Sequence, residues 1–162
     1  MQSPAYRSAV GDGRGHNTAG ARGSMTVHGG LLRMDTPGNG HIFDITPGVA
    51  SVVRTSGVER GLVCVFARGS TVAVTTMEFE PGGVRDLQAL LDRLVPVQGD
   101  YEHNRLNHDT NSHAHMRAAV IGPSETIPVV DGALVLGTWQ QIVLIDFDDR
   151  PRSRTVTVEV VS

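Results

Sequence analysis

The sequence predicts an α+β fold: a single domain built on a mixed, mainly antiparallel sheet with two helices. The chain has 162 residues, a length that suits one domain. Strand-like and helix-like segments alternate along it and end in several strands, an order typical of α+β proteins. The 19 glycines and 8 prolines predict many turns and short elements.

Residues 1–24 are expected to form a disordered N-terminal extension. The stretch 11–24 is rich in Gly, Arg and Ala and carries no apolar period. The domain is therefore expected to span residues 25–162. Its first two strands are predicted at residues 26–33 and 41–45.

Two helices are predicted from apolar spacing and from residues typical of helix ends. The first begins at Thr46 and Pro47, which suit an N-cap and the first helical position, and Gly57 is placed to end it. Its apolar face consists of Val49, Val52 and Val53. The second helix spans residues 82–94 and is ended by Pro96. Its apolar stripe consists of Val84, Leu87, Leu90, Leu91 and Leu94.

The remaining apolar segments predict strands. Residues 61–67 form a continuous apolar run, which is typical of a strand buried on both faces. Residues 71–79 are rich in β-branched side chains, which favour strands. Further strands are predicted at residues 114–121, 133–136, 140–145 and 154–161.

Composition argues against several classes of function. The net charge is −3 and no basic stripe is present, so nucleic acid is not an expected partner. All 14 basic residues are arginines, which excludes a lysine Schiff base and the lysine of a P-loop. Cys64 is the single cysteine, so no cysteine zinc cluster is expected. Because the chain has no membrane-length apolar run and no signal core, we expect a cytoplasmic protein without a membrane partner.

Four of the seven histidines lie between His103 and His115. His113 and His115 are two residues apart at the start of a predicted strand, so both rings are expected on one face. With His103 from the preceding loop they would form the three-ligand arrangement of an open zinc-type site. Asp109 would ligate, orient an imidazole or act as a base. The alternative is a set of ordinary histidines satisfied by hydrogen bonds.

A series of motifs surrounds these histidines. The motifs are Tyr101-Glu102-His103, Asp109-Thr110-Asn111-Ser112-His113-Ala114-His115, Gly122-Pro123-Ser124, Leu136-Gly137-Thr138-Trp139-Gln140 and Arg150-Pro151-Arg152-Ser153-Arg154. In this order they resemble the YjbQ family, the secondary thiamine-phosphate synthases, over roughly residues 30–161. That family often has a His directly before a T-T pair, where this chain has Gly69.

The resemblance implies a YjbQ-like α+β fold, a homotrimer and an enzyme. The enzyme would join a pyrimidine diphosphate to a thiazole phosphate, releasing pyrophosphate and giving thiamine phosphate. Metal-assisted hydrolysis of a phosphorylated metabolite is one alternative, and a non-catalytic metal- or small-ligand-binding protein is another. The expected partner is a phosphorylated small molecule. The expected cofactor is a divalent cation, Zn or Mg, held by His103, His113 and His115.

Candidate catalytic groups are Asp109, Glu78 and Asn111. Glu78 ends an apolar strand, so it is either a site carboxylate or the solvated end of that strand. Candidate substrate contacts are Ser70, Thr71, Arg117, Ser124, Trp139, Gln140 and Arg154. The hydroxyl and arginine groups suit phosphate, while Trp139 and Gln140 suit the face and edge of a heteroaromatic ring. The alternatives are plain turns, a core tryptophan and solvated arginines.

Overall fold

The computed structural model describes residues 7–9 and 25–162, and it confirms the α+β class. The strands are β1 (Arg7–Ala9), β2 (Val27–Thr36), β3 (His41–Asp44), β4 (Arg60–Ala67), β5 (Val72–Met77), β6 (Ser124–Val130), β7 (Ala133–Leu134), β8 (Gln141–Asp146) and β9 (Arg152–Val161). The helices are α1 (Thr46–Ser56), α2 (Pro81–Leu94), α3 (Glu102–Asn107) and α4 (Ser112–Ile121). Strand pairing across the described residues is antiparallel throughout.

The strands form two sheets. The larger has the order β1-β2-β9-β4-β6-β7, and the smaller has the order β3-β8-β5. Ile142 and Leu144 of β8 belong to a core that includes residues of the larger sheet and of α1. Val143 and Ile145 belong to a second core, which includes residues of α2 and α4. Strand β8 is therefore buried on both faces, because successive side chains of a strand point in opposite directions.

The two predicted helices are confirmed. Helix α1 begins at Thr46, has Pro47 in its first turn and ends at Gly57, whose φ of 68° is left-handed. The Thr46 side chain does not cap the helix; its hydroxyl instead accepts a hydrogen bond from the Ile142 backbone N–H at 2.8 Å. Helix α2 is capped by Glu80, whose carboxylate accepts hydrogen bonds from two backbone N–H groups of the first turn and whose pKa these bonds lower.

The prediction of a strand at residues 114–121 is wrong, because this segment belongs to helix α4. With α3, the described residues therefore hold four helices where two were predicted. Ala, Met and Arg in this segment are good helix formers. The buried residues of α4 recur at helical spacing, but several of them are polar, so the sequence shows no apolar period there. These buried residues are Ser112, His113, Ala114, Arg117 and Ala118.

Two further expectations about strands need correction. The run 61–67 lies in β4, but it is not buried on both faces, since Leu62 is 51% and Phe66 42% exposed on the outer side of the larger sheet. Strand β6 was not predicted, because Pro128 within it argues against a strand. Pro128 lies opposite Leu62 of β4.

Part of the expected N-terminal extension is described. Within residues 1–24, Arg7–Ala9 forms strand β1, which pairs antiparallel with β2 at Leu31–Arg33. The expectation of disorder for the other residues of this stretch lies outside the described residues. Among the described helices, none combines the length and the apolar character needed to cross a membrane.

Candidate functional site

His103 and His115 form a pair of imidazoles contributed by two different helices. Their ring centroids are 4.9 Å apart and the rings are tilted by 58°. His115, on α4, has its Nδ1 atom 3.1 Å from the backbone carbonyl oxygen of Ser70. A carbonyl oxygen only accepts, so Nδ1 of His115 carries a proton and Nε2 holds the lone pair of the neutral ring.

The proton on His103 is placed by a neighbouring amide. Nδ2 of the Asn107 side chain lies 3.2 Å from Nδ1 of His103 and 3.2 Å from the backbone oxygen of His103. An amide N–H group only donates, so Nδ1 of His103 accepts and Nε2 carries the proton. Nε2 of His103 is buried and has no hydrogen-bond partner among the described residues. The pair therefore offers one unpartnered N–H donor and one lone pair.

Asn111 adds an oxygen acceptor to this region. It precedes α4 directly, and its backbone oxygen accepts from the N–H of His115 at 3.3 Å. The two residues are four apart, so they lie on the same side of the helix. Oδ1 of Asn111 is buried and finds no partner within the described ranges 7–9 and 25–162. Such an atom suits an N–H donor of a ligand.

His113 lies apart from the pair, so the prediction that it shares a face with His115 is wrong. Two residues along a helix rotate the side chain by about 200°, which places the two rings on different sides of α4. His113 is 4% exposed, and Nδ1 has no partner among the residues that the structure describes. Burial lowers the pKa of His113, and nearby Arg117 lowers it further, while Asp149 opposes the shift. His113 is thus a neutral interior imidazole.

The expected three-histidine metal centre is therefore not assembled within one chain. Across the described residues, no three His, Cys, Asp or Glu side chains are grouped to hold a metal ion. In addition, Nε2 of His103 carries a proton, whereas a ligating nitrogen must present a lone pair. The two convergent histidines suit proton transfer and hydrogen bonding better than coordination.

The turn before β5 contributes backbone rather than hydroxyl groups to this site. Ser70 is exposed and presents its carbonyl to His115. Thr71 is buried, and its hydroxyl donates to Asp148 at 2.9 Å and accepts from Arg154 at 2.8 Å. Its hydroxyl is thus already engaged within the protein. Ser124 is exposed at the first position of β6, where it lies opposite Phe66, near the end of β4.

Gly69 allows this turn to approach Arg154. Its φ is +149°, and a Cβ atom there would lie 3.0 Å from Nη1 of Arg154 and 3.0 Å from Cγ1 of Val72. A side chain would therefore need both a different backbone conformation and more space. A His side chain at this position would not fit the backbone of this chain.

Both arginines expected to contact substrate are engaged inside the protein. Arg117 donates to the Val95 carbonyl from Nε at 2.9 Å and to Asp92 from Nη2 at 2.7 Å. Arg154 pairs with Asp146 through two bonds, of 2.7 Å from Nε and 2.6 Å from Nη2. Both guanidinium groups are buried and are held by contacts within the chain.

Asp146 and Asp148 are buried carboxylates that sequence reasoning missed. They accept from Arg154 and Arg152, and the Thr36 hydroxyl also donates to Asp146. Burial by itself would raise the pKa of Asp148, but hydrogen bonds from Arg152 and Thr71 outweigh it and lower the pKa from 3.8 to about 2. The sequence did carry a signal for these pairs: Asp146 and Asp148 are two residues apart at the end of the apolar run of β8, and Arg152 and Arg154 have the same spacing on β9.

The remaining predicted residues fall into two places. Asp109 is exposed in the loop between α3 and α4, where its carboxylate accepts from the Thr110 N–H at 2.8 Å. Glu78, Trp139 and Gln140 lie at the far end of β5 and β8, where Gln140 donates to the Thr76 hydroxyl at 3.0 Å. Strand β5, which separates the two places, has six residues and spans about 20 Å, so one chain does not bring this group to the histidine pair.

Solved structures of related proteins share this fold. A YbjQ-like protein of unknown function from Sulfolobus solfataricus matches with a TM-score of 0.81 and 32% identity, covering 85% of this chain and 99% of that one. A YjbQ/UPF0047-family protein from Clostridium acetobutylicum matches with a TM-score of 0.74 and 37% identity, covering 80% and 98%. The fold is therefore that of a YjbQ-like α+β protein.

Sequence relatives give the family. The family model described as UPF0047 protein YjbQ-like matches residues 31–162. A UPF0047 protein of Methanothermobacter thermautotrophicus is 38% identical over 136 residues, or 84% of this chain and 93% of the relative. One from Archaeoglobus fulgidus is 38% identical over 130 residues, or 80% and 98%. The chain belongs to the YjbQ-like UPF0047 family.

Proposed function

We propose that the chain is an enzyme of the thiamine-phosphate synthase type, with the His103–His115 pair at its active site. The observation that carries this proposal is the complementary state of the two rings: a buried N–H donor on His103 beside a lone pair on His115. A donor and an acceptor at one place are what a reaction with proton movement and a phosphate leaving group requires.

In the proposed reaction, the thiazole nitrogen forms a bond to the methylene carbon of the pyrimidine diphosphate. The carbon–oxygen bond to pyrophosphate breaks, and its electron pair leaves with pyrophosphate. The Nε2–H group of His103 would donate to an oxygen of the departing group. Nε2 of His115 would accept a proton from an N–H group of the pyrimidine as pyrophosphate leaves, and would return it once the new carbon–nitrogen bond has formed. Oδ1 of Asn111 would accept from an N–H group of the heteroaromatic ring.

A divalent cation, zinc or magnesium, remains a prediction. Bound to pyrophosphate, it would neutralise the charge that develops on the leaving group. The three-histidine ligand set does not fit within one chain, so no step above depends on the cation. Metal content of the purified protein, compared between wild type and His115→Ala, tests whether the protein contributes a ligand.

A homotrimer is proposed together with the reaction. Trp139 is 70% exposed and lies with Gln140 at the end of β5 away from the histidine pair. The outer side of the larger sheet also exposes Leu62 and Phe66, which suits contact with another subunit. If Trp139 and Gln140 line the same cleft as His115, a second copy must contribute them. Mass measurement in solution tests the assembly.

The decisive experiment is a product assay with each precursor alone and with both together. We expect thiamine phosphate and pyrophosphate only when both are present, with loss of at least about 100-fold in His103→Ala and His115→Ala, the usual range for a general acid or base. His28→Ala is the matched control, because His28 is exposed on β2 outside this cluster. The control should retain wild-type turnover.

Two outcomes would overturn the synthase proposal. Release of phosphate from a single precursor, without coupling, would indicate hydrolysis. That alternative requires a carboxylate near the pair, and Asp109 is the candidate on the neighbouring loop, because Glu78 lies at the other end of β5. Saturable binding of either precursor without any turnover would indicate a non-catalytic binding protein.

A further inference from the structure

The turn that contacts His115 is fixed from three directions. The Arg68 N–H donates to the Thr155 carbonyl at 3.1 Å, and the Thr71 carbonyl accepts from the Phe147 N–H at 2.9 Å. The Thr71 hydroxyl lies between Asp148, to which it donates, and Arg154, from which it accepts. Both the backbone and the side chain of Thr71 are therefore held by buried partners.

Holding Thr71 in place restrains the carbonyl that precedes it. The Ser70 carbonyl and the Thr71 N–H belong to one planar peptide group, so the Ser70 oxygen follows the backbone nitrogen of Thr71. That oxygen is the partner of Nδ1 of His115. A histidine nitrogen bound to a carbonyl must carry the proton, which leaves the other nitrogen as base or ligand.

We propose that Thr71 and Asp148 are positioning residues that set the tautomer of His115 through the Ser70 carbonyl. Asp148 anchors the Thr71 hydroxyl, Thr71 orients the Ser70–Thr71 peptide, and the carbonyl selects the Nδ1–H form of the imidazole. The importance of this tautomer for turnover rests on the proposed function, but the tautomer itself is a property of the free protein.

The charges around the network support this arrangement. Asp148 is 2% exposed and accepts from Arg152 at 2.9 Å as well as from Thr71. These contacts keep its carboxyl ionised at neutral pH, because they lower its pKa to about 2. An ionised carboxylate is an acceptor only, so the Thr71 proton must point toward Asp148. The direction of the whole chain of hydrogen bonds is thereby fixed.

The test measures the His115 tautomer by long-range ¹H–¹⁵N NMR of protein labelled at histidine nitrogens, without metal or substrate. The measurement is made near pH 8.5, about two units above the ordinary imidazole pKa, where a neutral ring shows its tautomer directly. His115→Gln assigns the signal. Wild type should show the Nδ1–H form. In Thr71→Val the Nε2–H fraction should rise about fivefold relative to Nδ1–H, the equivalent of one ordinary hydrogen bond.

The matched control is Thr75→Val, because Thr75 is a β5 threonine with no side-chain hydrogen bond in the described part of the chain. Thr71→Ser keeps the hydroxyl and should keep the wild-type tautomer. If Thr71→Val does not fold, Thr71→Ala is measured in its place. An unchanged Nδ1–H form in a folded variant without the hydroxyl would overturn the proposal. Because no substrate is used, this outcome is independent of whether the protein makes thiamine phosphate.

Discussion

Arg117 provides a sharp test of whether a side chain in this region serves substrate or fold. Its sequence context predicts a substrate contact, whereas in the structure its guanidinium lies at the C-terminal end of α2. There it donates to the Val95 carbonyl from Nε at 2.9 Å and from Nη2 at 2.7 Å. The last carbonyls of a helix have no partner within the helix, so a buried cation is a favourable cap. The perturbation is Arg117→Met, which keeps the apolar stem and removes the charged head.

The expected loss of stability follows from these contacts. A hydrogen bond from a charged donor contributes about 1.5–3 kcal/mol, and here the Val95 carbonyl is its acceptor. The ion pair with Asp92 adds at most about 1 kcal/mol, because the Asp92 side chain is 64% exposed. Arg117→Met should therefore lower the free energy of unfolding by about 2–4 kcal/mol. In a domain of this size, that loss lowers the melting temperature by roughly 4–16 °C.

The assay is urea unfolding followed by circular dichroism, with the free energy taken from the midpoint and slope. Arg93→Met is the control, because Arg93 is an exposed arginine in the last turn of α2 with no ion pair among the described residues. It should change stability by less than about 0.5 kcal/mol. An Arg117→Met variant as stable as wild type but deficient in ligand binding would refute the structural role.

Two further predictions concern acid stability and the exposed tryptophan. Folding lowers the pKa of the Asp148 carboxyl from 3.8 to about 2, so the ionised carboxylate stabilises the folded protein by about 2 kcal/mol. This stabilisation is complete above about pH 4 and is lost as the pH falls toward 2. Urea unfolding between pH 5 and pH 2 measures it, and a pH profile unchanged in Asp148→Asn would contradict this origin. Trp139 is 70% exposed, so Trp139→Ala should alter the free energy of unfolding of the isolated subunit by less than about 0.5 kcal/mol. The same variant should bind ligand more weakly, which titration calorimetry measures. Cooperative unfolding at lower urea would instead mean that Trp139 packs in the subunit core.

The predictable parts of the fold were those marked by local chemistry. Helix α1 was indicated by Pro47 and Gly57, because a proline in the first turn and a glycine just after the last residue are typical of helix ends. Helix α2 was indicated by its regular apolar stripe, although only Leu91 of that stripe is buried and Leu90 and Leu94 are exposed. Amphipathic spacing thus indicated the element but not how much of its face is covered.

The unpredictable parts depended on long-range contacts. Helix α4 packs against β5, and its buried face contains His113 and Arg117 as well as alanines, so no apolar period marked it. The carbonyl that accepts from Arg117 belongs to Val95, 22 residues away and just past the end of α2. Asp146 and Asp148 lie at the end of an apolar run, where acids are usually solvated. Only the fold brings them to Arg154 and Arg152 of β9 and to the hydroxyls of Thr36 and Thr71.

The sequence by itself determined the fold class, the helices α1 and α2 and the order of motifs that marks the YjbQ-like family. Only the tertiary structure decided which histidines meet. An H-x-H pair shares a face in a strand but not in a helix, and the choice was made by packing of α4 against β5. That choice placed His113 inside the protein and brought His115 to His103 and to the Ser70 carbonyl.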